Sequence, residues 1–227
     1  MAELVKAVLG KVTGTLGDIT FRQRNGKNVI GMRPRRYTPP DDEGSVGRRA
    51  RFTLTAKLAQ GVQSVPELLS LWTPQTPAGM STFNYIIQKN ILVVNPNSVS
   101  GLTVITPNGG FIVNCTSSAV SADSIAVELA AIGSIWGIDI AKEPNAKLAY
   151  ILSLTNPSNA SYPDVWFVAG ASEPKPLVLN APLTFNIALS GQDGVSVESY
   201  GDKKLLIALV TLDADGNAVR GSETVLR

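Results

Sequence analysis

From Ile91 to the C-terminus the chain is built of short apolar runs, each broken by Asn, Gly, Pro, Ser or Asp. The runs at 102–106, 111–115, 125–132, 148–154, 165–168, 183–189 and 205–212 are too short for helices and rich in branched side chains. Such side chains fit a pleated surface, so the pattern predicts seven or more strands in an antiparallel sandwich. Asp213-Ala-Asp215-Gly216-Asn217 reads as a hairpin connection through its Asp-Gly step, with 218–226 as the last strand.

The texture before Ile91 is different. Val46, Ala50, Leu54, Leu58 and Val62 recur every four residues, with Phe52 and Ala59 flanking, which predicts a helix over 43–61. Asp41, Asp42 and Glu43 stand where a helix N-terminus favours negative charge. Ser64-Val-Pro66-Glu67 has the form of a capping box opening a short helix, 66–72. After a Pro-rich loop over 73–79, Ser81 is placed to cap a third helix, in which Met80, Phe83, Ile86 and Ile87 share a face. The expected fold class is mainly β, α+β overall: an N-terminal β-hairpin arm, two or three helices, and an antiparallel Ig-like β-sandwich. The expected divisions are a basic arm over 1–40, a helical segment over 41–92 and a sandwich over 93–227.

The arm is the functional feature. Residues 8–33 read as two short strands around Asn25-Gly26, because both turn positions tolerate φ > 0. Leu16, Ile19 and Phe21 fall near alternation on one side of the turn, and Lys27, Val29 and Ile30 follow it. Arg22 and Arg24 share one face while Gln23 takes the other, which argues against a continuous basic groove. Arg33-Pro34-Arg35-Arg36-Tyr37 continues as extended chain, since proline disfavours helix at the residue before it. A hairpin of this size is marginal alone, so it must lie on its own body or on a neighbouring subunit. Charge follows the same division. The first sixty residues hold twelve Lys and Arg against five Asp and Glu, and the remainder holds eight against thirteen.

Motifs for chemistry are scarce. The chain has no His, which removes the usual general base, the usual metal ligand and every Ser-His or Cys-His couple. Cys115 is the single cysteine and sits in an apolar run, so it reads as a small buried hydrophobe with no intramolecular disulfide and no Cys-based metal site. Neither Gly10-Lys11 nor Gly26-Lys27 completes a phosphate loop, and the GXXG matches at 14–17 and 44–47 are chance in a Gly-rich segment. Asp213, Asp215 and Asn217 alternate as calcium ligands can, but Thr224 stands where the bidentate Glu belongs. Asp123, Glu128, Asp139, Asp164, Asp193 and Glu198 lie mostly beside turn residues and read as solvated. Trp72, Trp136 and Trp166 read as core or interface anchors. The N-terminus lacks the apolar core of a secretory leader and no run is long enough to span a bilayer. A product cytoplasmic as made is expected, which is compatible with assembly into a virion or at the cell surface.

Leu9-Gly-Lys-Val-Thr-Gly-Thr-Leu-Gly-Asp-Ile-Thr-Phe21, with Gly26-Lys-Asn-Val-Ile30 and Arg33-Pro34, resembles the start of a family found mainly in Bacteroidetes and their relatives. That family opens on a "GxxSGKxGN" hairpin followed by a "QxxxRxxFxxxxxxL" helix, to which 46–58 with Arg48 and Phe52 is similar. Met80-Ser-Thr-Phe-Asn84 resembles its "MSAFN" helix start, and 208–219 its final hairpin. Gly47 and Thr13 depart from the pattern. The resemblance implies the same architecture and transfers no activity or site.

Together these readings lead to an expectation of a non-enzymatic structural subunit that assembles with copies of itself into a filament or a phage-like particle. The arm would add to a neighbour's sheet edge, with its basic residues meeting the acidic body of the next subunit. The residues expected to carry the contact are Leu16, Ile19, Phe21, Arg22, Arg24, Lys27, Val29, Ile30, Arg33, Arg35, Arg36 and Tyr37. No cofactor and no small-molecule substrate are expected. Nucleic acid bound by the same arginines is a less favoured partner. A carbohydrate-binding sandwich is a further alternative, which would require an exposed Trp or a facing carboxylate pair.

Overall fold

A computed structural model of the chain describes residues 2–4, 13–24, 26–33, 39–189 and 191–227. The chain divides into two compact units, Met1–Ser45 and Val46–Arg227. The fold is mainly β: N-terminal strands are followed along the chain by helices and then by an antiparallel β-sandwich.

The first unit is a four-stranded antiparallel sheet rather than the two strands expected. Its strands are β1 (Ala2–Leu4), β2 (Gly14–Leu16), β3 (Ile19–Arg24) and β4 (Lys27–Met32), in the order β1-β4-β3-β2. Three-residue edge strands are too short for alternation to be legible, which is why only the central pair could be read.

After the arm strands, α1 (Glu43–Ser64), α2 (Pro66–Trp72) and α3 (Thr82–Asn90) precede β5 (Cys115–Val120), β6 (Ser124–Leu129), β7 (Asn145–Pro157), β8 (Val165–Ala171), β9 (Lys175–Pro176) and β10 (Leu183–Ala188). A short helix α4 (Gln192–Glu198) leads into β11 (Tyr200–Leu212), β12 (Ala218–Gly221) and β13 (Val225–Leu226). One sheet runs β10-β6-β5 and the other β12-β11-β7-β8, with β13 also on β11 and β9 also on β7. The inner faces enclose one core. Ile125, Val127 and Phe185 of the smaller sheet meet Leu148, Leu152, Leu205, Ile207 and Leu209 of the larger.

The opposite face of the larger sheet is covered by the helices, so this sheet is buried on both sides. Leu54, Leu58 and Val62 of α1, Leu68 and Trp72 of α2 and Ile86 of α3 pack with Ala149, Ile151, Leu206, Ala208 and Val210. That second burial explains why 148–154 and 205–212 are continuously apolar instead of alternating. Ala149, Ala208 and Ala169 keep the sheet surface low, and Lys147 joins α2 to β7 through Glu67 at 2.6 Å.

Several local expectations change. Residues 102–106 form no strand: Leu102 is exposed, Thr103, Ile105 and Thr106 are buried, and side chains take the segment's backbone groups in place of a ladder. Asn90 Oδ1 accepts from Val104 N–H (2.8 Å), Thr224 Oγ1 from Ile105 N–H (2.8 Å), and Trp72 Nε1 donates to the Ile105 carbonyl (2.8 Å). The run at 111–115 is mostly irregular, touching the sheet through a single parallel bridge, Phe111 to Ser222, and the final strand is broken there into β12 and β13. Ser64 does not cap α2. Its hydroxyl donates back to the Gly61 carbonyl, and Val65 holds the N-cap position with no side-chain bond. Ser81 does cap α3, accepting from Asn84 N–H at 3.3 Å. Val46 and Phe52 of α1 are exposed, so only the later part of its predicted face is buried.

Gly47 lies inside α1 with open space where a Cβ would stand. Gly47→Ala is expected to stabilise the protein by about 0.5–1 kcal/mol, by reducing the freedom of the unfolded chain. Urea denaturation checks this as a higher midpoint with an unchanged slope.

Candidate assembly surfaces

Cross-strand register sorts the arm residues onto two faces. Leu16 pairs with Ile19, Ile19 with Met32, and Phe21 with Ile30, so these five side chains share one face. Arg22 pairs with Val29 and Arg24 with Lys27, which puts the basic residues and Val29 on the other. Leu16 and Met32 are 72% and 76% exposed, and Phe21 and Ile30 are half-buried. Gln23 and Asn28 are joined across the strands, Nε2 to Oδ1 at 3.0 Å. Nine of the twelve residues expected to act together are described, and they are divided between an apolar face, a basic face and a flank. Arg33 is on the flank, its N–H donating to the Asp18 carbonyl at 2.6 Å. Arg35, Arg36, Tyr37 and the turn residue Asn25 lie outside the described residues.

Both tight turns need glycine. Gly17 follows Leu16 with φ +57°, and Gly26 precedes Lys27 with φ +76°. These left-handed positions let two-residue connections match the twist of the strands. The edges of the arm sheet are β1 and β2. Among its described residues the arm unit has no second layer to bury its apolar face, although a sheet with one apolar face requires such a partner.

The body has an edge of matching character. β8 ends the larger sheet, and its sequence Val-Trp-Phe-Val-Ala-Gly-Ala carries no charge and no proline. Edge strands are ordinarily protected by charge, proline or a bulge. Here the Lys57 ammonium caps one end, donating to the Val165 carbonyl at 2.9 Å, while Trp166 remains 40% exposed. A groove of about 330 Å³ runs between α1 and β8, past Lys57, Gln60, Gly61 and Phe167. Asp164 precedes the strand and Glu173 follows it, both exposed.

The residues considered for chemistry are placed in structural roles. Asp213 Oδ1 accepts from the N–H groups of Asp215 and Asn217, and Oδ2 accepts from Asn217 Nδ2. The Asn217 side-chain bond, followed by its N–H, holds the Asp213 carboxyl below its ordinary range. Its oxygens thus close the hairpin turn. Cys115 is buried, with its thiol directed to the Ser117 carbonyl. The tryptophans part company: Trp72 is in the core, Trp136 is half-buried and Trp166 is at the open edge. Sequence reasoning missed a buried carboxylate, Glu143, which is 2% exposed and meets Arg220 at 3.0 Å. Among the described residues no helix is long and apolar enough to cross a membrane. Compared with known proteins, the chain matches no family model and no curated protein.

Proposed function

We propose that this protein is a non-enzymatic structural subunit that assembles with copies of itself into a filament or phage-like particle. The reading is carried by the exposed apolar face of the arm, where Leu16 and Met32 stand in solvent. Burying such a face on another subunit contributes about 25 cal/mol for each Å² removed from water. The receiving surface is the free edge of β8 in a second copy. An arm edge strand adds to it through main-chain hydrogen bonds, while its apolar side chains approach Trp166. Arg22, Arg24 and Lys27 on the opposite face find acidic partners in Asp164 and Glu173, which sets register more than affinity. Because arm and edge are different surfaces, the contact is head-to-tail and closes as a ring or continues as a fibre.

Sedimentation velocity and electron microscopy of the full chain test this. Wild type is expected to form large species, and Leu16→Asp with Met32→Asp to leave monomers whose body melts unchanged. Trp166→Lys, a charge placed on the β8 edge, is expected to do the same. A wild-type chain that stays monomeric at high concentration refutes the proposal. Single-stranded nucleic acid binding that weakens steeply with salt and is lost in Arg22→Ala with Arg24→Ala would favour the rival reading instead.

A further inference from the structure

We propose that a cavity at one end of the body binds a neutral saccharide unit, independently of assembly. The cavity is about 420 Å³ and lies between the 73–75 turn, the 107–110 loop, Trp136 and β12. This is the size range of small-molecule sites.

Its lining carries little net charge. Arg220 is the sole charged side chain in the lining, and Glu143 balances it from behind through the 3.0 Å ion pair. Glu143 is itself fixed by the Thr211 hydroxyl, which donates to Oε2 at 2.5 Å. Arg220 Nη1 donates to the Trp136 main-chain carbonyl at 3.5 Å, and both residues line the cavity, where Trp136 is half-buried. Glu143 is buried and the Arg220 side chain is 45% exposed, so the pair ties one edge of the guanidinium to the body and leaves the rest open to the cavity. The lining also includes the exposed carboxamides of Gln75 and Asn108, which make no side-chain hydrogen bond among the described residues. Each offers a donor pair and an acceptor.

That set selects a class of ligand. Phosphates and nucleotides need uncompensated positive charge, which Glu143 removes. A pyranose ring has an apolar face for indole and a rim of hydroxyls for amide and guanidinium groups. Leu71 approaches the Gly221 backbone closely in this lining: a Cβ at Gly221 would stand 2.6 Å from Leu71 Cδ1.

The experiment is calorimetric titration and saturation-transfer NMR with lactose, maltose, cellobiose and diacetylchitobiose, beside AMP and gluconate as charged controls. It uses the full chain and the Leu16→Asp, Met32→Asp variant, so that failure of assembly and failure of this site are read separately. At least one neutral disaccharide is expected to bind both proteins with little salt dependence. Trp136→Ala and Asn108→Ala are each expected to weaken it about tenfold or more. Trp166→Ala, outside the cavity, should leave it unchanged. Asn108 is on a loop, so its variant keeps the test valid should Trp136→Ala fail to fold. The proposal is overturned if none of the four sugars binds at millimolar concentration, if only AMP or gluconate binds, or if binding survives both cavity substitutions.

Discussion

Gly110→Ala is expected to destabilise the protein by about 3 kcal/mol or more, lowering its melting temperature by roughly 6–12 °C. An added Cβ would lie 2.2 Å from the Gly221 carbonyl oxygen and 2.9 Å from the Ser222 carbonyl carbon. Both are backbone atoms, so no side-chain rotation relieves the clash. The loop must move, and with it the bond from Glu223 N–H to the Phe111 carbonyl (2.8 Å) and the buried Phe111 ring. Gly109 provides the comparison. It has φ +94° and open space around its Cβ position, so Gly109→Ala costs only backbone strain, about 1–2 kcal/mol. Thermal and urea unfolding of the two variants separate the effects. Equal losses would show that the 110–221 approach is not what limits position 110.

The sandwich was legible because its central strands are apolar runs of strand length between turn residues. A run such as Leu-Ala-Tyr-Ile-Leu-Ser-Leu over 148–154 is too short for a typical helix and suits a strand with both faces covered. The same signal misled at 102–106, where burial produced an apolar run but Asn90, Thr224 and Trp72 supply the hydrogen bonds a strand would need. Periodicity reports burial, not the partner of the backbone. β5, with Thr-Ser-Ser at its centre, and α4, with Gln-Asp-Gly at its start, are too polar to announce themselves and are held by their neighbours. The arm's two faces could be read from Leu16, Ile19 and Phe21 against Arg22 and Arg24, since alternation is local. The cavity could not. Trp136, Glu143 and Arg220 come from separate segments, joined only by contacts between residues far apart in sequence.

Replacing Asn90 should be as damaging as any single change in the helical layer, and its pH dependence identifies the cause. The side chain is fully buried at the end of α3. Its Nδ2 donates to the Ile86 and Val104 carbonyls at 3.1 and 2.9 Å, and its Oδ1 accepts from Val104 N–H at 2.8 Å. Asn90→Leu keeps the number and branching of side-chain heavy atoms, though with a larger volume, and leaves the partly buried Val104 N–H and carbonyl without their partner, at a cost of about 3 kcal/mol. Asn90→Asp keeps the acceptor for Val104 N–H but turns a carboxylate towards two carbonyls. Burial and those carbonyls raise the folded-state pKa of the new carboxyl above its unfolded value of about 3.9. The native state then binds more protons than the unfolded state between the two values, so stability falls as pH rises through that window. At neutral pH the Asp variant should therefore be at least as unstable as the Leu variant. As pH drops below the raised value, the protonated carboxyl regains a donor and the deficit relative to wild type narrows. Urea unfolding at pH 7 and in mild acid measures both differences. A deficit that is the same at each pH for Asn90→Asp would mean that the hydrogen bonds to the Ile86 and Val104 carbonyls are not what Asn90 supplies.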